Sequence, residues 1–172
     1  MTVPRVAFRR DGSLNVVIET PRGASAKFKY DHESGELTLS RELPLGITYP
    51  YDWGFVPSTH AADGDPLDAM ALWDSASYPG IVLPSRIIGV LRVEQRSVKS
   101  GNRERNDRLF VLPVKAPRFD HVRTIFDLPE RTRSEIERFF LNVVAFEGKE
   151  LRLLGFEGPD EGERLVRSAL AA

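Results

Sequence analysis

The sequence contains no cysteine, only three histidines and no long hydrophobic segment. Without cysteine the protein has no disulfide framework, no thiolate metal site and no catalytic thiol. No stretch approaches the roughly 20 apolar residues that span a bilayer, and residues 1–12 lack the apolar run of a signal peptide. The histidines show no metal-ligand spacing. We therefore expect a soluble cytoplasmic protein with no membrane partner, whose chemistry comes from carboxylate, hydroxyl and basic side chains.

An excess of charge of one sign is also missing, since 24 basic and 25 acidic residues give a formal net charge of −1. A nearly neutral chain has no overall attraction to nucleic acid or to anionic membranes. Hydrophobic residues make up 41% of the 172 positions and charged residues 28%, as in ordinary globular proteins. This length suffices for a hydrophobic core, so we predict a single domain over residues 1–172.

Short apolar runs with strand-like patterns predict a mostly β chain. The predicted strands cover residues 14–20, 26–30, 36–39, 87–93, 109–114 and 151–156. Residues 32–35 predict a hairpin turn between the second and third strands. Residues 96–108 are polar and show no apolar period, so we predict a loop there.

Two helices are predicted near the C-terminus. Residues 132–135 match a capping box, and apolar residues follow at helical spacing from Ile136 to Val143. Pro159 with two acids after it predicts the first turn of a final helix. Many short strands followed by two helices indicate a mostly β fold with α, which we interpret as a β-barrel with two flanking helices.

The segment from Asp63 to Asp68 carries three carboxylates, at Asp63, Asp65 and Asp68, and no Lys or Arg lies between Ala61 and Ser85. Anions so close repel one another, so a cation must balance them. Oxygen ligands on a tight turn suit a hard divalent ion such as Mg²⁺ or Mn²⁺. A solvated Asp-Gly turn is the alternative interpretation. The third aspartate, the adjacent proline and nearby aromatic residues favour the metal site.

Charged side chains accompany this turn on the predicted strands. Glu19 lies on the first strand, Lys27 on the second and Arg41 after the third. Carboxylates with a metal beside Lys and Arg suit a polyphosphate substrate, because Arg can clamp phosphate with two hydrogen bonds. A bound metal can also lower the pKa of water and so create a nucleophile. Taken singly, Lys27 or Arg41 is more often a solvated strand residue than a ligand.

With these residues the chain resembles the soluble family I inorganic pyrophosphatases. The strongest element is Asp63-Gly64-Asp65-Pro66-Leu67-Asp68, supported by Tyr49-Pro50 with a following Gly54, by strand 88–91 and by the Phe139-Phe140 pair. The resemblance implies an OB-like five-stranded β-barrel with two flanking helices. It also implies hydrolysis of pyrophosphate to two phosphates with Mg²⁺, or with Mn²⁺ or another divalent cation. A homo-oligomer, a hexamer in many bacteria, is implied as well.

The resemblance assigns a role to each matched position. Asp63, Asp65 and Asp68 resemble metal ligands, and Asp65 also resembles the general base. The remaining matched residues are the catalytic-site tyrosine Tyr49, the substrate-binding Lys27, Arg41 and Arg108, and the acid Glu19 at the edge of the site.

Several matched positions depart from the family pattern. The departures are Lys29 for an acid, Trp53 for tyrosine, Gln95 and Asn106 for aspartates, Arg108 for lysine and Val143-Val144 for a Tyr-Lys pair. Losing three carboxylates and gaining a lysine shifts the charge of the site by roughly four units, so it should hold fewer metal ions. A β-bulge near Glu94 or Asp107 would return an acid to the site.

Three functions remain open on the sequence. The first is pyrophosphate hydrolysis. The second is a pyrophosphatase-like protein that binds phosphate or metal, serves in assembly or hydrolyses another phosphorylated compound. The third is a nucleic-acid-binding barrel that uses the basic residues between 92 and 108. That run lacks interleaved aromatic residues, so a solvated loop is favoured. We therefore predict a small-molecule phosphate substrate and no nucleic-acid partner.

Overall fold

The computed structural model describes residues 1–171. The strands are β1 (Leu14–Thr20), β2 (Ala26–Asp31), β3 (Glu36–Glu42), β4 (Asp52–Phe55), β5 (Asp68–Ala71), β6 (Val82–Arg96), β7 (Arg103–Arg105), β8 (Arg108–Pro113) and β9 (Arg152–Glu157). The α-helices are α1 (Glu130–Val143) and α2 (Pro159–Ala171), and short 3₁₀ turns span Pro117–Phe119 and Ile125–Asp127. Over this part of the chain no helix has the length and apolar character needed to cross a membrane.

Five strands close into a ring. β1 pairs with β4, β4 with β5, β5 with β8, β8 with β6, and β6 with β1. Only the β5–β8 pair is parallel. The long strand β6 closes the ring, because its beginning pairs with β1 and its middle pairs with β8. β7 and β9 extend the sheet from the far end of β6. The predicted OB-like arrangement of five strands with two helices is confirmed.

The predicted hairpin forms a separate two-stranded sheet from β2 and β3. Gly35 takes a φ of 74° in its turn, a left-handed conformation that favours glycine. The hairpin is fastened to β1, because the Thr20 hydroxyl accepts a hydrogen bond from the Phe28 amide at 2.9 Å. The Tyr30 amide also donates to the Glu19 carboxylate at 2.7 Å. These contacts place Lys27, Lys29 and Arg41 beside the end of the ring.

Two large hydrophobic clusters hold the helices against the strands. α1 buries Ile136, Phe139, Phe140 and Val143, which confirms its predicted apolar face. The Phe140 ring lies 5.6 Å from Trp53 and 6.3 Å from Phe110, measured between ring centroids. α2 buries Val166 and Ala169 in a second cluster with residues of β1, β5 and β8. Each large apolar side chain buried in this way contributes about 1.5–3 kcal/mol.

Two local predictions were wrong. α1 begins at Glu130 after Pro129, with no side-chain cap, so the predicted capping box at 132–135 lies inside the first turns. Pro129 has an extended ψ of 141° and itself sets where the helix starts. Within the predicted loop 96–108, Arg103–Arg105 forms β7 against the end of β6. A short charged edge strand shows no apolar period, which is why the pattern missed it.

Gly54 allows β1 and β4 to approach closely. A Cβ at this position would lie 1.9 Å from the carbonyl oxygen of Val17, a backbone atom. We expect Gly54→Ala to lower the free energy of unfolding by about 3 kcal/mol, because the two strands must separate. Urea denaturation measures the change. The control is Gly158→Ala, whose Cβ would meet no atom within 4 Å and should cost less than about 1 kcal/mol. Equal unfolding midpoints for the two variants would contradict this view of the ring.

Candidate active site

The three predicted aspartates lie on a hydrogen-bonded turn between β4 and β5. The Thr59 hydroxyl accepts the Leu67 amide at 3.0 Å and donates to the Val56 carbonyl at 2.7 Å. Within the turn, the Asp65 amide donates to the Asp63 carboxylate at 3.1 Å. Gly64 takes a φ of 87°, which tightens the chain between the two acids. The turn is therefore fixed by hydrogen bonds between its backbone and the side chains of Thr59 and Asp63.

One pocket of about 310 Å³ collects most of the predicted site. The predicted residues that line it are Glu19, Lys27, Arg41, Asp63, Asp65, Asp68 and Arg108. Lys29, Gln95 and Asn106, at three of the positions that depart from the family pattern, line it as well. The fold thus brings together side chains from β1, the β2–β3 hairpin, the aspartate turn, β6 and β8.

Tyr49 is the predicted site residue that does not line this pocket. It is 3% exposed and lies in the core, with its ring centroid 5.0 Å from that of Phe139 and 6.1 Å from that of Trp53. Burial raises the pKa of its hydroxyl above the usual value. Its catalytic role stays a prediction.

Two of the three aspartates are already bound to basic side chains. Lys29 Nζ lies 2.7 Å from Asp65 Oδ2, in a pair that solvent reaches. Arg108 Nη1 lies 2.7 Å from Asp68 Oδ2. Arg108 is only 6% exposed, and its guanidinium carbon lies 5.5 Å from the Trp53 ring centroid. The cations that balance the aspartate turn therefore come from β2 and β8, outside the turn itself.

Burial changes the acidity of the other charged groups in the pocket. It raises the pKa of Glu19 to about 7, although the amide of Tyr30 favours the ionised carboxylate. It lowers the pKa of Lys27 to about 8, and the nearby Arg108 adds repulsion. Lys149 also lines the pocket, and burial lowers its pKa in the same way. The pocket thus holds basic groups near one another, which costs electrostatic free energy. A bound anion would lower this cost.

Three buried polar atoms of pocket residues have no hydrogen-bond partner among residues 1–171: Arg41 Nε, Arg108 Nε and Gln95 Oε1. Arg41 Nε lies 3.4 Å from a Glu147 oxygen, but without hydrogen-bond geometry. Gln95 turns its amide nitrogen to Glu104 at 3.4 Å, which leaves its oxygen unpaired. An unsatisfied buried group costs about 1–3 kcal/mol, and all three atoms belong to residues that line the pocket.

The carboxylates, as paired here, do not fit a preassembled site for a divalent ion. Among the residues that the structure describes, no three His, Cys, Asp or Glu side chains are arranged to hold a metal. Lys29 and Arg108 engage Asp65 and Asp68, and Asp63 accepts a backbone amide. A metal ion would have to displace these partners.

The bulge suggested near Glu94 and Asp107 does not return either acid to the pocket. Asp107 binds Arg92 and Arg105, at 2.9 Å in each case, and accepts the Val93 amide. Instead the pocket gains Glu104 from β7, which faces Gln95 across the β6–β7 pair.

Val143 and Val144 supply no side chain to the pocket lining. Val143 is 5% exposed and packs in the core. Its carbonyl oxygen lies 3.4 Å from Arg41 Nη2, so the end of α1 helps to orient this arginine. The chain therefore replaces the expected Tyr-Lys pair with apolar packing and one backbone contact.

Lys149 is the main pocket residue that the sequence interpretation missed. The Arg96 amide donates to its carbonyl at 2.6 Å, which ties the segment after α1 to the end of β6. Gly148 and Glu150 on either side take positive φ values of 66° and 44°. A non-glycine residue with positive φ is uncommon, and such backbone strain often occurs near functional sites. No local sequence signal marks Lys149, because this contact is long-range.

Five of the six basic residues between 92 and 108 make ion pairs within the described part of the protein, and Lys99 makes none there. Arg92 binds Asp107, Glu157 and Glu161, while Arg96 and Arg103 both bind Glu150. Arg105 and Arg108 are also paired, as described above. These contacts support the interpretation that the segment is not a free basic surface.

The family profile described as inorganic pyrophosphatase matches residues 16–172. The chain belongs to this family. It is 37% identical over 159 residues to an inorganic pyrophosphatase of Synechocystis, covering 92% of this chain and 90% of that protein. It is also 37% identical to the enzyme of Geobacillus stearothermophilus, covering 92% of each.

Solved structures of inorganic pyrophosphatases share the fold of this chain. The inorganic pyrophosphatase of Thermus thermophilus superposes with a TM-score of 0.88 at 33% identity, over 99% of this chain and 95% of that one. That of Helicobacter pylori gives a TM-score of 0.85, also at 33% identity, over 99% and 96%. The sequence resemblance to the inorganic pyrophosphatases is thereby confirmed.

The raised pKa of Glu19 makes stability depend on pH. Its folded pKa of about 7 lies above the ordinary value of 4.5, so the folded state holds the proton more tightly. The stability associated with this proton is full below pH 4.5 and is lost as the pH rises through 7. We expect the free energy of unfolding of Glu19→Gln to equal or exceed that of the parent at pH 8.5 and to fall below it at pH 5. Urea denaturation without metal measures both. The exposed strand residue Glu36, changed to Gln, should alter stability equally at both pH values. The same response from both variants would contradict the assignment.

Proposed function

We propose that this protein hydrolyses pyrophosphate to two phosphates in the pocket beside the aspartate turn. The observation that carries the proposal is that three basic side chains, Arg41, Arg108 and Lys27, line the same pocket as Asp63, Asp65 and Asp68. Phosphoryl oxygens are the acceptors that arginine donors bind best. Family membership supports the same reaction.

The proposed roles follow from these contacts. Arg41, Arg108 and Lys27 bind the phosphoryl oxygens and neutralise the charge that develops on them. Asp65, on the solvent side of the pocket, accepts a proton from the attacking water as the new P–O bond forms. The bridging P–O bond then breaks, and the leaving phosphate takes up a proton. Lys29 must release Asp65 for this step, since a paired carboxylate is a weaker base.

Mg²⁺ is the proposed cofactor, and Asp63, Asp65 and Asp68 would hold it once Lys29 and Arg108 have released Asp65 and Asp68. Oxygen ligands suit this ion, and when bound it would supply charge neutralisation and a more acidic water.

We further propose a cytoplasmic homo-oligomer, with a hexamer as the expected form. Leu45, Tyr78 and Phe146 are large apolar side chains with most of their surface exposed. A second copy covering some of this surface would remove it from water, which supports association.

A second candidate function is phosphate binding without turnover. The Lys29–Asp65 pair favours it, because it occupies the proposed base, and Gln95 and Asn106 replace expected acids. This candidate predicts that pyrophosphate binds while phosphate release stays at the level of buffer. Rapid turnover would exclude it.

Asp65→Asn tests the proposed reaction. The parent should release phosphate from pyrophosphate with Mg²⁺ or Mn²⁺, and the variant should lose about 10² to 10³ in rate, because the amide cannot accept the proton. A colorimetric phosphate assay measures both. Asp120→Asn, an exposed aspartate outside the pocket, is the matched control and should keep full activity. No release by the parent with any divalent ion would overturn the proposal.

The lowered pKa of Lys27 predicts how affinity depends on pH. The ammonium attracts the anion while it is protonated, so pyrophosphate affinity should weaken as the pH rises through about 8. Calorimetric titrations from pH 6.5 to 9.5 would follow the change. In Lys27→Gln the affinity should be lower at neutral pH and flatter above it. Protonation of pyrophosphate itself changes the affinity of both proteins alike, so the comparison between them cancels this contribution. Parallel pH profiles would contradict a role for this ammonium.

A further inference from the structure

The aspartate turn obtains its compensating charge from the chain itself. Lys29 and Arg108 each place a nitrogen 2.7 Å from an aspartate oxygen, at Asp65 and Asp68. Arg108 is only 6% exposed. A metal ion that displaced it from Asp68 would therefore leave a buried charge without its partner. The carboxylates are therefore screened before any ligand arrives, and they repel an incoming anion less than free carboxylates would.

The pocket also contains basic groups in excess. Its seven basic side chains are Lys27, Lys29, Arg41, Arg96, Lys99, Arg108 and Lys149, against five acidic ones, Glu19, Asp63, Asp65, Asp68 and Glu104. Within residues 1–171, neither Lys27 nor Lys149 forms an ion pair. An anion in the pocket would be the partner of these ammonium groups.

Arg108 lines the pocket and has N–H donors besides the one that Asp68 accepts. Arg108 Nε is buried and unpartnered although Nη1 of the same side chain binds Asp68. The guanidinium can therefore hold Asp68 and a phosphoryl oxygen at once, since it has five N–H donors in one plane. Arg41, on the β2–β3 hairpin, lines the pocket as a second guanidinium. Neither contact requires a metal bridge.

From these observations we infer that the pocket binds a diphosphate anion directly, before and without a divalent ion, because Lys29 and Arg108 take the charge-compensating place of metal ions. The inference rests on the proposed function only in taking pyrophosphate as the ligand. Capture of the anion then requires no divalent ion. Binding of the anion without a divalent ion depends on Lys29, because a carboxylate in its place would add to the negative charge of the turn.

Titration calorimetry at fixed ionic strength tests the inference, with pyrophosphate in EDTA and with methylenediphosphonate, an analogue whose P–C–P bridge cannot be hydrolysed, in both EDTA and Mg²⁺. For the parent, the dissociation constant of the analogue in EDTA should lie within about threefold of that in Mg²⁺. Lys29→Glu should weaken binding in EDTA by about tenfold or more and should regain affinity in Mg²⁺, because the ion can bind beside the new carboxylate. Lys29 is exposed, so this change should not disturb folding.

The matched control is Lys115→Glu, which makes the same change of charge at an exposed residue outside the pocket and should bind like the parent. Binding by the parent that is lost in EDTA, or weakened by more than about threefold, would overturn the inference. Equal effects of the two substitutions would also overturn it, because net charge alone would then explain the change. Phosphate release from pyrophosphate, measured on the same proteins with Mg²⁺, separately decides whether the protein hydrolyses what it binds.

Discussion

The buried ion pair between Asp68 and Arg108 is the contact on which both the ring of strands and the pocket depend. It joins β5 and β8, the one parallel pair in the ring, directly beside the register pair Ala69 and Leu109. Removing one member would leave the other as an unpaired charge in a largely buried place, at a cost of about 3–5 kcal/mol. The same arginine lines the pocket. Strand pairing and ligand binding are thus served by a single side chain.

Aromatic side chains of the core pack against Arg108. Trp53 and Phe140 lie 5.5 and 5.9 Å from its guanidinium carbon, as in cation–π contacts. Trp53 stands where the family pattern has a tyrosine, so the chain exchanges a hydroxyl for a larger aromatic surface against Arg108. An arginine in place of the lysine of the family pattern suits this setting, because a planar guanidinium can stack and donate in several directions. The two departures are therefore physically connected.

Much of the site could be predicted from sequence because the aspartate turn is a local feature. Its spacing, its glycine and its proline identify the turn without knowledge of the fold, and the strands before it carry Glu19, Lys27 and Arg41. The long apolar strand β6 and the apolar face of α1 follow from periodicity in the same way. The family profile and the solved relatives confirm the fold that these features indicated.

Other parts could not be predicted, because they depend on pairing across the sheet. β4 and β5 have four residues each, too few for a pattern. Glu104 reaches the pocket only because β7 pairs with β6, and Lys149 only because its segment is held to Arg96. Sequence alone also could not show that Lys29 lies against Asp65, a contact 36 positions apart.

These contacts explain how a member of the inorganic pyrophosphatase family can lack several expected acids and keep a pocket suited to phosphate. Basic side chains balance the remaining aspartates, and further donors stay unused. The most direct test is a crystal structure of the protein grown with pyrophosphate and a chelator. We expect phosphoryl oxygens within hydrogen-bond distance of the Arg41 and Arg108 guanidinium groups, with the Lys29–Asp65 and Arg108–Asp68 pairs intact. A pocket without the anion under these conditions, and filled only when Mg²⁺ separates those pairs, would contradict the account.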